Sequence, residues 1–81
     1  MAALERGTLM LSLAGRDKGR LLAVVEAGEN SVLVCDGKER PVQRPKSKNI
    51  RHLKSTGIKL SEESLLTNKA LRKAIAGAGK A

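Results

Sequence analysis

Three apolar runs crowd into the first half of the chain: Thr8 to Leu13 (TLMLSL), Leu21 to Glu26 (LLAVVE) and Ser31 to Asp36 (SVLVCD). Each is too short for a helix and rich in Leu and Val, so each is expected to be a strand. Glycine-bearing turns separate them. The first is AGRDKGR, Ala14 to Arg20, with Gly15 and Gly19; the second is AGEN, Ala27 to Asn30. The third run closes on Asp36-Gly37, a pair suited to a tight hairpin because both residues tolerate positive φ. Successive strands joined by short turns make an antiparallel meander.

The chain then becomes less regular. Pro41 and Pro45 each remove a backbone donor, which limits RPVQRPK to a short edge strand and an extended loop. A last strand is expected at Ile50 to Leu53, before a breaker at Ser55 to Gly57. Four or five short strands in about fifty residues favour a small barrel, since closure hides sheet edges.

From Ser61 the apolar period changes to that of a helix. Ser61 is expected to cap it, with Glu62 and Glu63 in the first turn, where the helix dipole favours carboxylates. Leu66, Ala70, Leu71, Ala74 and Ile75 fall on one face of Ser61 to Ala76, and Lys69, Arg72 and Lys73 on the other. Gly77 is expected to stop the helix and GAGKA to be a flexible end. Such a helix is marginal alone, so its apolar face is expected to pack on the barrel, with docking on a protein partner as the alternative.

Catalysis finds little support. Cys35 and His52 are the only residues of their kinds, which excludes an intramolecular disulfide and argues against a zinc site. No spacing sets a nucleophile beside a base, and no glycine-rich loop opens into a helix to cradle a nucleotide. The expectation is a non-enzyme without a cofactor, Cys35 a small buried hydrophobe and His52 a surface residue. The start of the chain lacks the basic and apolar regions of a signal peptide, and the lone thiol suits a reducing compartment, so a soluble cytoplasmic protein is expected. Phe, Tyr and Trp are absent. That closes off an aromatic groove for proline-rich peptides and the usual stacking platform for single strands. Phosphates and the shape of a folded nucleic acid stay within reach of Lys and Arg.

Charge points the same way. Sixteen Lys and Arg against eight Asp and Glu give +8, and the segment Lys38 to Lys54 alone carries +6, with Glu39 its only acid. One sign concentrated in one segment is the footprint of a polyanion binder. The candidate phosphate contacts are Arg16, Lys18 and Arg20 from the first turn, with Lys38, Arg40, Arg44, Lys46, Lys48, Arg51 and Lys54 from the basic segment. Asp17 lies in the middle of the basic turn. Either it closes the turn by accepting backbone N–H groups, or it pairs with Arg16 or Lys18.

The stretch GTLMLSLAGRDKGRLLAVVEAGENSVLVCDG resembles a KOW motif, and with RPVQRPKSKNIRHLKSTG it is similar to the fourteen-e group of large-subunit ribosomal proteins and to short bacterial KOW proteins. The resemblance covers Arg6 to about Gly57, with the helix as an extension. It implies an SH3-like five-stranded barrel at residues 6–57, followed by a helix and tail at 58–81. It also implies a cytoplasmic protein, monomeric when free, that holds structured RNA, usually ribosomal, through loops at one end of the barrel. Gly15 and Gly19 would be the turn glycines and Lys18 the motif lysine. Leu21 and Leu22 stand where many KOW sequences have a further glycine, which sets the chain apart from KOW transcription factors. Coating of duplex DNA and an adaptor role for the helix are the other readings.

Overall fold

The apolar runs lack a clean polar stripe because both of their faces are buried. In the computed structural model, which describes residues 5–78, they form β1 (Thr8–Ser12), β2 (Leu21–Ala27) and β3 (Ser31–Cys35). With β4 (Lys46–Asn49) and β5 (Leu53–Lys59) they make one antiparallel sheet in the order β4-β3-β2-β1-β5. Met10, Leu22, Val24, Val32, Val34 and Leu53 meet on one face. Their neighbours in sequence, Leu9, Ala23 and Cys35, point the other way and pack with Leu65 and Leu71 from the C-terminal region.

Connectivity forces this sheet to curl. β4 and β5 are its two outer strands, yet only a 3₁₀ turn, Ile50–His52, joins them. Four strand spacings of about 4.8 Å would hold flat edges roughly 19 Å apart, whereas three 3₁₀ residues advance about 6 Å. The Lys48 ammonium on β4 accordingly donates to the Ala14 carbonyl just past β1 at 3.0 Å, although β3 and β2 lie between those strands in the sheet. A bulge at Val25, where the β2–β3 register jumps, adds local bend. The expected class therefore forms: mainly β, one curled antiparallel sheet of five strands with one C-terminal helix.

Several local expectations are corrected. Ile50–His52 is 3₁₀ and not strand, because the Asn49 side chain accepts the Arg51 N–H at 2.9 Å and caps a turn there. β5 starts at Leu53 and runs through the supposed breaker to Lys59. Thr56 Oγ1 donates to the Leu9 carbonyl at 2.7 Å and accepts the Ile58 N–H, so a hydroxyl bridges the register jump where Gly57 takes φ 80°. No strand forms between the prolines; β4 begins only after Pro45. Asp36-Gly37 does not make a tight hairpin. Asp36 Oδ1 accepts the N–H groups of Lys38 and Arg40, which opens a longer loop. Gly37 alone of the pair has positive φ, at 79°. A Cβ on it would lie 2.5 Å from the Asn68 carbonyl oxygen, so glycine is also what lets the loop touch the helix.

Ser61 starts only a 3₁₀ turn, Glu62–Leu65, its hydroxyl lying 3.0 Å from the Ser64 hydroxyl without capping a backbone N–H. The helix proper, α1, spans Asn68–Ala78, and Thr67 Oγ1 accepts the Ala70 N–H at its start. The break changes the helical phase: Leu65 and Leu71 are buried, and Leu66 is 69% exposed. Gly77 lies inside α1 and does not stop it; residues 79–81 of the expected flexible end lie outside the described residues. Asn68 accepts the Val42 N–H and donates to Gln43, and Arg72 donates to the Gly37 carbonyl at 2.8 Å, tying α1 to the loop after β3.

Two measurements test this packing. In urea denaturation, Leu71→Ala should cost about 2–4 kcal/mol, the range for an emptied core site, and Leu66→Ala less than about 0.5 kcal/mol. Burial, helped by the neighbouring Asp36 charge and opposed by Arg6, pushes the Cys35 thiol up to about 11. Above its ordinary range the unfolded chain ionises this thiol while the folded chain does not, so the unfolded state binds fewer protons and stability falls as pH rises. Between pH 9 and 11 the native chain should lose roughly 2–3 kcal/mol relative to Cys35→Ala, read from parallel melts of the two proteins.

Candidate nucleic-acid interface

The Ala14–Arg20 turn is built by its own backbone. Gly15 and Gly19 take φ 79° and 86°, and the bonds Lys18 N–H to Gly15 O, Gly19 N–H to Ser12 O and Arg20 N–H to Asp17 O close it. The Asp17 carboxylate takes no part in that closure, nor does it pair with Arg16 or Lys18. It is 1% exposed and points inward. Its Oδ2 lies 3.7 Å from Arg40, 3.6 Å from Lys46 and 3.8 Å from Lys48. Neither carboxylate oxygen has a hydrogen-bond partner among the described residues, so charge holds it rather than directed bonds. Both alternatives read from the sequence are thus replaced by a third: Asp17 is the counter-ion of the basic segment.

This arrangement sorts the ten candidate residues. Arg40, Lys46 and Lys48 surround Asp17; Lys48 is itself buried, with its ammonium also on the Ala14 carbonyl. Arg20 pairs with Glu39 at 2.8 Å on the surface. Arg16, Lys18, Lys38, Arg44, Arg51 and Lys54 are exposed, and none of them has an ion pair among the described residues.

Five of these six belong to the turn or to segments that β1, its register partner β5 or the Asp17 cluster connect to it. Arg16 and Lys18 belong to it. Arg51 is in the 3₁₀ turn whose His52 carbonyl accepts the Leu13 N–H at 2.8 Å, Lys54 pairs across from Leu11 on β5, and Arg44 stands two residues before Lys46, which faces Asp17. His52 is exposed and contributes only backbone to this junction.

Lys38 lies elsewhere, with Arg20, on an open cleft of about 470 Å³ between the turn and α1, where Arg72 joins them. Reasoning from the sequence placed Arg72 on the polar helix face and did not connect it to this site; only the fold brings it over the Gly37 carbonyl. Among the described residues no group of three or more His, Cys, Asp or Glu could hold a metal ion, and no helix is long and apolar enough to cross a membrane.

Removing the Asp17 charge should be costly for the fold because it leaves three crowded cations without a common counter-ion. Asp17→Asn is expected to destabilise by about 3 kcal/mol, and adding Lys48→Met should make the double variant at least about 1 kcal/mol more stable than the single losses sum to. Chemical denaturation of the four chains measures both numbers, and strict additivity would show that the two residues do not interact.

No protein-family model matches the chain, and a search of curated proteins finds no match.

Proposed function

We propose that the chain is an RNA-binding, ribosome-associated protein of the cytoplasm that holds the phosphates of structured RNA, ribosomal RNA first, against the end of the barrel formed by the Ala14–Arg20 turn. One observation carries this reading. Asp17 takes up three cations for the fold, yet Arg16, Lys18, Arg44, Arg51 and Lys54, on the turn and the segments connected to it, stay exposed and without an ion pair among the described residues. Exposed cations crowded together repel one another, a cost that an arriving polyanion relieves. The resemblance to KOW-bearing ribosomal proteins supports the same end of the barrel and the same class of ligand. An adaptor role for the helix is less favoured, because Leu71 and Ile75 already pack against the sheet cluster.

Mechanistically the site is a charged surface on a rigid support. The Asp17 cluster ties the turn that bears Arg16 and Lys18 to Lys46 and Lys48 of β4. Phosphate contacts of this kind position a nucleic acid and carry no base information. Five contacts at about 0.7–0.9 each predict a slope of log affinity against log salt of about −3.5 to −4.5, whereas all ten candidates would give about −7 to −9. Filter binding of folded ribosomal RNA fragments from low to high salt gives the slope, and an affinity nearly independent of salt would defeat the proposal. Equal displacement by duplex DNA would transfer it to a non-specific DNA-coating protein.

A further inference from the structure

The cleft between the turn and α1 combines three chemistries that phosphate contacts alone do not need. Its lining is apolar at Leu21, Ile75 and Ala76 and cationic at Arg20, Lys38 and Arg72. Two of these cations have partners, Arg20 in Glu39 and Arg72 in the Gly37 carbonyl, while Lys38 has no ion pair among the described residues. Asp36 also lines the cleft, and its Oδ1 is committed to the N–H groups of Lys38 and Arg40. Oδ2 accepts no hydrogen bond among the described residues and is left as an acceptor.

We infer that this cleft takes a single unpaired nucleotide of the bound RNA, its phosphate on Lys38, its base against Leu21, Ile75 and Ala76, and an exocyclic amino group of that base on Asp36. The inference rests on the RNA-binding reading and names the feature of the RNA that is recognised. A cation, an acceptor and an apolar lining together match a nucleotide, which carries phosphate, amino donor and a flat apolar face in one unit. An acidic protein segment would satisfy the cations, but its carboxylates offer neither an apolar face for Leu21, Ile75 and Ala76 nor a donor for Asp36. With no aromatic residue in the chain, the guanidinium planes of Arg20 and Arg72 on this cleft are the groups able to stack on a base. A cleft of this size lies within the usual range for small-ligand sites.

Two RNA hairpins test it, one fully paired and one with a single unpaired adenosine in its stem. The wild-type chain should bind the second about five- to ten-fold more tightly. Lys38→Gln, and separately Ala76→Glu on the exposed helix surface, should bring that ratio close to one. Titration with adenosine 5′-monophosphate should shift the backbone amide resonances of Leu21, Lys38, Ile75 and Ala76. Equal binding of both hairpins by the wild-type chain, with the salt dependence given above, would overturn the cleft assignment and leave the RNA reading standing. Failure to bind either hairpin would overturn both, and displacement of the mononucleotide by an oligoglutamate peptide at similar concentration would give the cleft to an acidic protein segment.

Discussion

The arrangement of the curled sheet turns on one buried carboxylate. An isolated Asp removed from water costs several kcal/mol, and the cost is met only where opposite charge is brought to it. Asp17 sits in the turn after β1, and its cations come from Arg40, Lys46 and Lys48, at and before the far edge of the sheet. Only a curled sheet brings these parts together. The ion cluster and the short β4–β5 connection therefore impose the same geometry, one through charge and the other through chain length. A buried cluster of this kind need not add net stability over an apolar substitute; what it does here is fix the turn against β4, so that a one-residue slip of the edge strand would leave Asp17 without Lys46 or Lys48.

The same cluster changes the meaning of the basic segment. Read as a row of charges, Lys38 to Lys54 is a uniform binding surface. Folded, it divides by burial: Lys48 has 7% of its side chain exposed and Arg40 has 28%, so both are enclosed beside Asp17, while Arg44, Arg51 and Lys54 are exposed. Arg20 is intermediate. Its pair with Glu39 is at the surface, where such pairs are worth little, so a phosphate can compete for it in a way that it cannot for Lys48.

What the sequence makes visible follows from how local the cause is. β1, β2 and β3 are legible because apolar runs and glycine turns sit next to one another, and the inward and outward alternation of Leu9 and Met10, or Ala23 and Val24, is a property of any strand. The start of α1 is not legible, because Ser61 and Thr67 are both good caps and the choice depends on whether a hydroxyl finds a backbone N–H or another hydroxyl. That choice also decides whether Leu65 or Leu66 is buried, since a change of phase by one residue turns the helix by about 100°. β5 was obscured for a related reason: Thr56 and Gly57 look like a stop but serve as a bulge. Of the site, the residue types and the basic turn were legible. The partners of Asp17 were not, because all three lie more than twenty residues further along the chain.

A chain without aromatic residues has to fill its core with small aliphatic groups, and one sheet face supplies few of them. The packing of Leu65 and Leu71 over Leu9, Ala23 and Cys35 gives a second cluster, and it uses the outer face of β1 to β3 to do so. That face is then closed to any ligand. Open surface is left to the Ala14–Arg20 turn, to the basic segment and to the seam beside α1. The need for a second core thus leaves much of the exposed charge on loops, and a loop can carry charge at a fixed position only if something anchors it. Asp17 supplies that anchor from within the basic turn itself, which is why an acid belongs in the middle of AGRDKGR.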